Sequence, residues 1–130
     1  MAAAAHLSFF AGFWLVAPIV IYVMKRKESR FIGFHALQAI LVQVAAGALT
    51  AASFVLMLVG GVVAGASRSE VAGVVVLIFS ALLLALPGLG ALAAHVVLAY
   101  GAWQGKTWEV PLVGRIAKGI LGADEEAAKT

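Results

Sequence analysis

Three long stretches of this chain carry no charged side chain: residues 1–24, 31–67 and 71–105, taking histidine as neutral. That feature limits the possible folds more than any motif. A helix crossing the hydrocarbon core of a bilayer needs about 20 apolar residues, and each stretch supplies them. Composition agrees. The chain is 64% hydrophobic and 12% charged, where soluble domains average about 45–50% and about 25%. A soluble globular enzyme, a disordered tail and a coiled coil are excluded. The absence of cysteine removes disulfides, thiolate metal ligands and cysteine nucleophiles.

The expected fold is an all-α integral membrane protein with three transmembrane helices over residues 5–24, 35–66 and 71–103. The first stretch lacks a basic region before it and a small-x-small cleavage site after it, so it reads as a retained helix and not a signal peptide. The third holds Leu86-Pro87-Gly88-Leu89-Gly90 at its middle. Its halves, about 16 residues each, are short for separate spans. Charge supports a single crossing. Three spans put Lys25, Arg26, Lys27, Arg30, Lys106, Arg115, Lys118 and Lys129 on one side and Arg68 alone on the other. Four spans would leave four basic residues inside and five outside. The positive-inside rule favours three spans, with the N-terminus outside and the C-terminus inside an inner membrane. Pro87 then marks a kink, which membrane helices tolerate. A shallow re-entrant hairpin over 71–105 is the alternative.

Residues 1–110 form the transmembrane module, and 111–130 differ from it. Leu112, Val113, Ile116, Ile120 and Leu121 repeat with a helical period, with Arg115 and Lys118 opposite. Pro111 suits a first helical turn. This pattern predicts an amphipathic helix lying on the inner leaflet, followed by a solvated acidic tail.

Chemistry-bearing groups are few. No Asp or Glu lies inside a predicted span, which excludes carboxylate proton relays and carboxylate-lined cation sites. No HExxH, GxSxG or P-loop pattern occurs. The expectation is no enzyme activity, no cofactor and no metal. The predicted topology places His6 near the outer end of its span and His35 and His95 toward the inner side. A site using all three is therefore not expected. Two imidazoles alone make a poor zinc site. His35, Gln38 and Gln43 form the densest polar group in the spans, read as interhelical hydrogen bonding. Ser8, Ser53 and Ser80 are isolated hydroxyls. Gly61 and Gly65 form a GxxxG pair, and Gly47 with Ala51 is a second small-residue pair; both permit close helix contact. Tyr100, Trp103 and Trp108 read as interfacial anchors. The basic residues 25–30 attract anionic lipid; nucleic acid is not expected as a partner.

Two segments carry a resemblance. One is Arg30-Phe31-Ile32-Gly33-Phe34-His35-Ala36-Leu37-Gln38-Ala39; the other is Gly105-Lys106-Thr107-Trp108-Glu109-Val110-Pro111-Leu112. Their pairing resembles the bacterial relatives of the twenty-kilodalton Tic component of chloroplast protein import. Magnetosome membrane proteins of the F type also belong to that group. The resemblance implies a helical membrane module with the basic loop and the tail on one side. It implies a role at a protein-conducting complex in plastids, and in organelle membrane or crystal growth in magnetosome bacteria. It supplies no catalytic residues. The chain departs from the plastid form in lacking an extra N-terminal helix and in residues 67–89.

The functional expectation is a membrane protein that acts by helix association, as a homo-oligomer or an accessory subunit of a larger membrane complex. Phe34, His35, Gln38, Gln43, Gly61, Gly65, His95 and Pro111 are its candidate interaction residues. Lys25, Arg26, Lys27, Arg30, Lys106, Arg115 and Lys118 are its candidate topology and lipid contacts. The alternative is an oligomeric channel or translocation component with His35, Gln38 and Gln43 lining water.

Overall fold

A computed structural model describes residues 1–12, 14–67 and 69–127; Arg68 and Lys129, counted in the charge argument, lie outside the described residues. The described chain is helical, with no strand among these residues. Five helices follow in order: α1 (Ala2–Leu7), α2 (Val16–Lys25), α3 (Arg30–Ser67), α4 (Glu70–Trp103) and α5 (Val113–Ala127).

Two helices, α3 and α4, are long and apolar enough to cross a membrane by length and composition. In the most apolar stretch of each, 6% is buried against the chain itself. Their apolar surface is therefore left for lipid or for other helices. α4 runs unbroken through Pro87 to Trp103, so residues 71–103 form one helix and not a hairpin.

The first apolar stretch departs from expectation. The predicted continuous helix over 5–24 is two short helices, α1 and α2, separated by turns. Gly12 has φ +76°, a left-handed conformation that glycine enters freely and that ends helical continuity. α2 has 10 residues, or about 15 Å of helix, half of the roughly 30 Å hydrocarbon core. It is too short to cross alone.

The chain divides into two compact units. One comprises residues 45–91. It holds the end of α3 and the start of α4, with close approach at Gly60, where an added Cβ would lie 3.2 Å from Val76 Cγ1. Ser69 caps α4 by accepting the Ala72 N–H at 3.3 Å. Ser53 spends its hydroxyl on the Leu49 carbonyl of its own helix, 2.8 Å away.

The other unit comprises residues 1–44 and 92–130. Its centre is the start of α3. Ser29 caps this helix, accepting the Ile32 N–H at 3.4 Å. Residues 33–39 are then buried without exception. A surface helix buries one stripe; a helix buried all round must have neighbours on every side. Phe34 and Leu37 pack with Ala117 and Leu121 of α5. Ala36 and Ala39 pack with Ala5 of α1, with Ile21 and Tyr22 of α2 against them. Ser8 ends α1 by donating to the Ala5 carbonyl at 2.9 Å.

Candidate functional site

The two segments that carried the resemblance meet in the second unit described. His35 and Gln38, one helical turn apart, reach the backbone of the strap between α4 and α5. His35 Nε2 lies 3.2 Å from the Lys106 carbonyl oxygen. The Gln38 amide, in the orientation that satisfies both its ends, donates through Nε2 to the Trp108 carbonyl at 3.2 Å. Its Oε1 accepts the Val110 N–H at 2.8 Å. The side chain thus acts as a surrogate peptide, pairing an irregular strap whose polar groups would otherwise lack partners. The polar group was read as bonding between helices; His35 does reach His6 of α1, at 3.3 Å, while Gln38 and the other His35 nitrogen meet loop backbone.

Local chemistry shapes that strap. The Gly105 N–H bonds the Ala102 carbonyl at 3.2 Å, and the Lys106 N–H bonds the Gly101 carbonyl at 2.9 Å. With Gly105 at φ +73°, these are the paired bonds of a Schellman C-cap. Trp108 then folds back onto Gly101, where an added Cβ would lie 2.7 Å from the indole. Tyr100 flanks the same ring at 6.2 Å, and Lys106 Nζ sits 5.5 Å from its centroid. Trp108, expected as an interfacial anchor, is therefore a packing residue, whereas Trp103 is 83% exposed.

Glu109 pairs with Lys118 across the turn, and its Cβ lies 2.8 Å from the place a Cβ on Gly114 would take. Pro111 does not begin the helix as predicted. Leu112 follows it at φ +72°, and α5 starts at Val113. That helix is amphipathic, as expected, but divides its apolar side. Ala117 and Leu121 are buried against α3, while Leu112, Ile116 and Ile120 are exposed.

The largest correction concerns the histidines. His6 was placed at a different depth from His35 and His95, on the assumption that the first stretch crosses as one helix. Because that stretch is broken, α1 lies beside the start of α3, and the three buried rings adjoin one another. His6 and His35 centroids are 5.5 Å apart, as are those of His6 and His95. Phe9 stacks on His95 at 4.8 Å and 18°. Phe31 meets the edge of His35 at 4.7 Å.

Residues 1–117 match the Magnetosome magnetite crystal formation protein family, MamF/MmsF. The chain belongs to that family. No curated protein and no solved structure matches it. The family and the two long apolar helices together point to a membrane location. The match falls on the magnetosome branch of the resemblance and takes in both α3 and the strap.

The remaining candidates scatter. Gln43 is 1% exposed, and neither of its amide atoms has a partner among the described residues. Gly61 and Gly65 lie in the other unit, with nothing within 4 Å of an added Cβ. Lys25 pairs with Glu28, and Arg26 lies 5.3 Å from the Tyr22 ring. Gly33 lets that basic loop approach: an added Cβ would sit 3.0 Å from Arg26 Cα. Lys27, Arg30 and Arg115 are exposed. Sequence reasoning missed Gly101 and Gly114 because a chain with 14 glycines gives no sign of which ones seat a side chain.

Proposed function

We propose that this protein is a non-enzymatic component of a bacterial inner membrane or a membrane derived from it. In this reading it acts by helix association, as a homo-oligomer or an accessory subunit, where the mineral of its family is formed. One observation carries the proposal. Within residues 45–91, an open apolar groove of about 660 Å³ is lined by Met57, Gly61, Ala64, Gly65, Gly73 and Val76 among others. Small residues without neighbours let another helix approach closely, which drives association in lipid, where burial of apolar area gains little. The family description, crystal formation, fits a scaffold that organises a membrane surface. The resemblance to the plastid import component supports the same mode of action, since that role too is exercised beside other membrane proteins.

Lipid is the second partner in this reading. Arg30 and Lys118 rim a hollow of about 460 Å³ floored by Phe31, Phe34 and Leu121. The exposed Ile116 and Ile120 lie on the adjoining helix, with the exposed Leu112 just before it. Basic residues over apolar ones suit an anionic bilayer surface. The channel reading loses one of its lining residues, because Gln38 is occupied by the strap.

Native mass spectrometry of the protein extracted in mild detergent tests the proposal. Masses at multiples of 13.4 kDa, or one mass that includes other chains, are expected for the native sequence. Gly61→Leu is expected to reduce either to the single chain. A single 13.4 kDa species from the native membrane, or complexes unchanged by Gly61→Leu, would refute the role of this groove.

A further inference from the structure

The break at Gly12 also bears on which side of the membrane α1 faces. The basic residues are silent on this point, because residues 1–24 carry no charged side chain. Two crossings, by α3 and α4, satisfy the positive-inside rule as well as three do. Packing decides instead.

α1 is tied to the basic end of the long helices. His35 lies in the second turn of α3, about 7.5 Å past its start, and reaches the Lys106 carbonyl just beyond α4. His6 Nε2 is 3.3 Å from His35 Nδ1, and His6 Nδ1 is 3.3 Å from His95 Nδ1. All three rings are fully buried. Ala5 packs with Ala36 and Ala39 of the same turns. A helical stretch of about 7.5 Å separates residue 1 from His6. Were α1 to point straight into the bilayer, residue 1 would stand about 15 Å past the start of α3. Half of the roughly 30 Å hydrocarbon core would still lie ahead. α1 cannot begin there. It has no side-chain cap at its N-terminus, so the N–H groups of its first turn need water, which the hydrocarbon does not hold. Met1 is 70% exposed. The water within its reach is on the side of the basic loop.

We infer that α1 and α2 form a re-entrant hairpin, entering and leaving the bilayer on the side of the basic loop, so that the chain crosses only twice. This reverses the expectation of an N-terminus outside. Three features suit a hairpin held in lipid. α2 supplies about 15 Å of rise, half of the core. The turn after α1 satisfies its own backbone: the Phe9, Phe10 and Ala11 N–H groups bond the His6, Leu7 and Ser8 carbonyls at 3.3, 3.0 and 3.2 Å. Irregular backbone at membrane depth requires such partners. The outer surface is apolar, with Phe10, Trp14, Val16, Ile19 and Val20 all exposed.

The consequence for function is one-sidedness. The start of α1, the basic loop, the strap and α5, which packs on Phe34 and Leu37, share one aqueous side. The far side receives the short connection between α3 and α4. Whatever this protein recognises in water is then recognised on the basic side.

The inference rests on the membrane location and not on the association reading. The chain has no cysteine, so a single introduced cysteine reports its own side. Three full-length variants are compared in sealed vesicles of the native membrane, right-side-out and inside-out. One has a cysteine inserted between Met1 and Ala2; the others are Lys27→Cys and Glu70→Cys. Met1, Lys27 and Glu70 are exposed, so the fold is not at stake. With a membrane-impermeant maleimide, the inserted cysteine and Lys27→Cys are expected to label in inside-out vesicles and to lose that labelling in right-side-out ones. Glu70→Cys is expected to do the opposite. Labelling of the inserted cysteine alongside Glu70→Cys, equally in both populations, or only after detergent is added, would overturn the inference. So would labelling of Lys27→Cys and Glu70→Cys in the same vesicles, since α3 would then not cross. None of these outcomes changes the masses by which association is tested.

Discussion

Replacing Gly101 by Ala tests the strap most directly, because the structure sets the sign of the effect. On a helix, Gly→Ala is ordinarily favourable by about 0.5–1 kcal/mol. At Gly101 the new methyl would stand 2.7 and 2.8 Å from carbons of the Trp108 indole, where carbon atoms prefer about 3.5–4.0 Å. The indole is rigid, so the whole ring must leave. Overpacking of this kind costs about 1–3 kcal/mol, and the cation–π contact with Lys106 contributes about 0.5–1 kcal/mol more. The net expectation is a destabilisation of about 1–3 kcal/mol, taking these contributions together. Gly119→Ala on α5, with nothing within 4 Å of its Cβ, supplies the control of opposite sign. Both are read by denaturant titration in one detergent. Trp108 emission is followed in a background with Trp14 and Trp103 replaced by Phe. A stabilised Gly101→Ala protein, or an emission spectrum identical to that of the parent, would refute the packing of Trp108 on Gly101.

Two further outcomes follow from the same region. Gln38→Leu leaves the Trp108 carbonyl and the Val110 N–H unpaired; a loss of about 1–3 kcal/mol and faster proteolysis between residues 105 and 112 are expected, and an unchanged cleavage pattern would deny the clamp. Leu112→Gly relieves a left-handed leucine, for which a gain of up to about 1 kcal/mol is expected, while removal of a 67% exposed apolar side chain should weaken binding to anionic vesicles; a lower melting temperature would contradict the strain argument.

Much of the architecture was legible because hydropathy reports composition over long windows. The runs that became α3 and α4 needed no finer signal, and the placing of basic residues with the short halves either side outweighed Pro87. The period of α5 was also plain, although hydropathy could not say which part of its apolar side would meet protein. The failure at residues 1–24 has the same origin. A window average cannot distinguish a continuous helix from two short ones joined at Gly12. That error then displaced His6, because its depth was inferred from the supposed crossing. The strap was found as a motif without its mechanism: Gln38 binds main-chain atoms, which leave no trace in side-chain identity. Gly101 and Gly114 were invisible for a related reason, since their role is to lack a Cβ opposite Trp108 and Glu109.

A chain this apolar raises the question of what makes one structure preferred. In lipid, an apolar side chain gains little by turning from solvent tails to a neighbouring helix. Preference must come from close packing of small residues and from polar groups that would otherwise be stranded. Residues 33–39 concentrate both. Gly33, Ala36 and Ala39 allow close contact, and His35 and Gln38 bind the strap. Residues 45–91 carry little of either, apart from the glycines of the groove and hydroxyls such as Ser53 that are spent on their own helix. Substitutions that break the local fold should therefore cluster in residues 33–39 and 101–114. Substitutions in 45–91, apart from the Gly60–Val76 contact, should leave the monomer folded and affect only what it associates with. That separation makes the groove testable, because loss of a complex in Gly61→Leu then reports on association and not on unfolding.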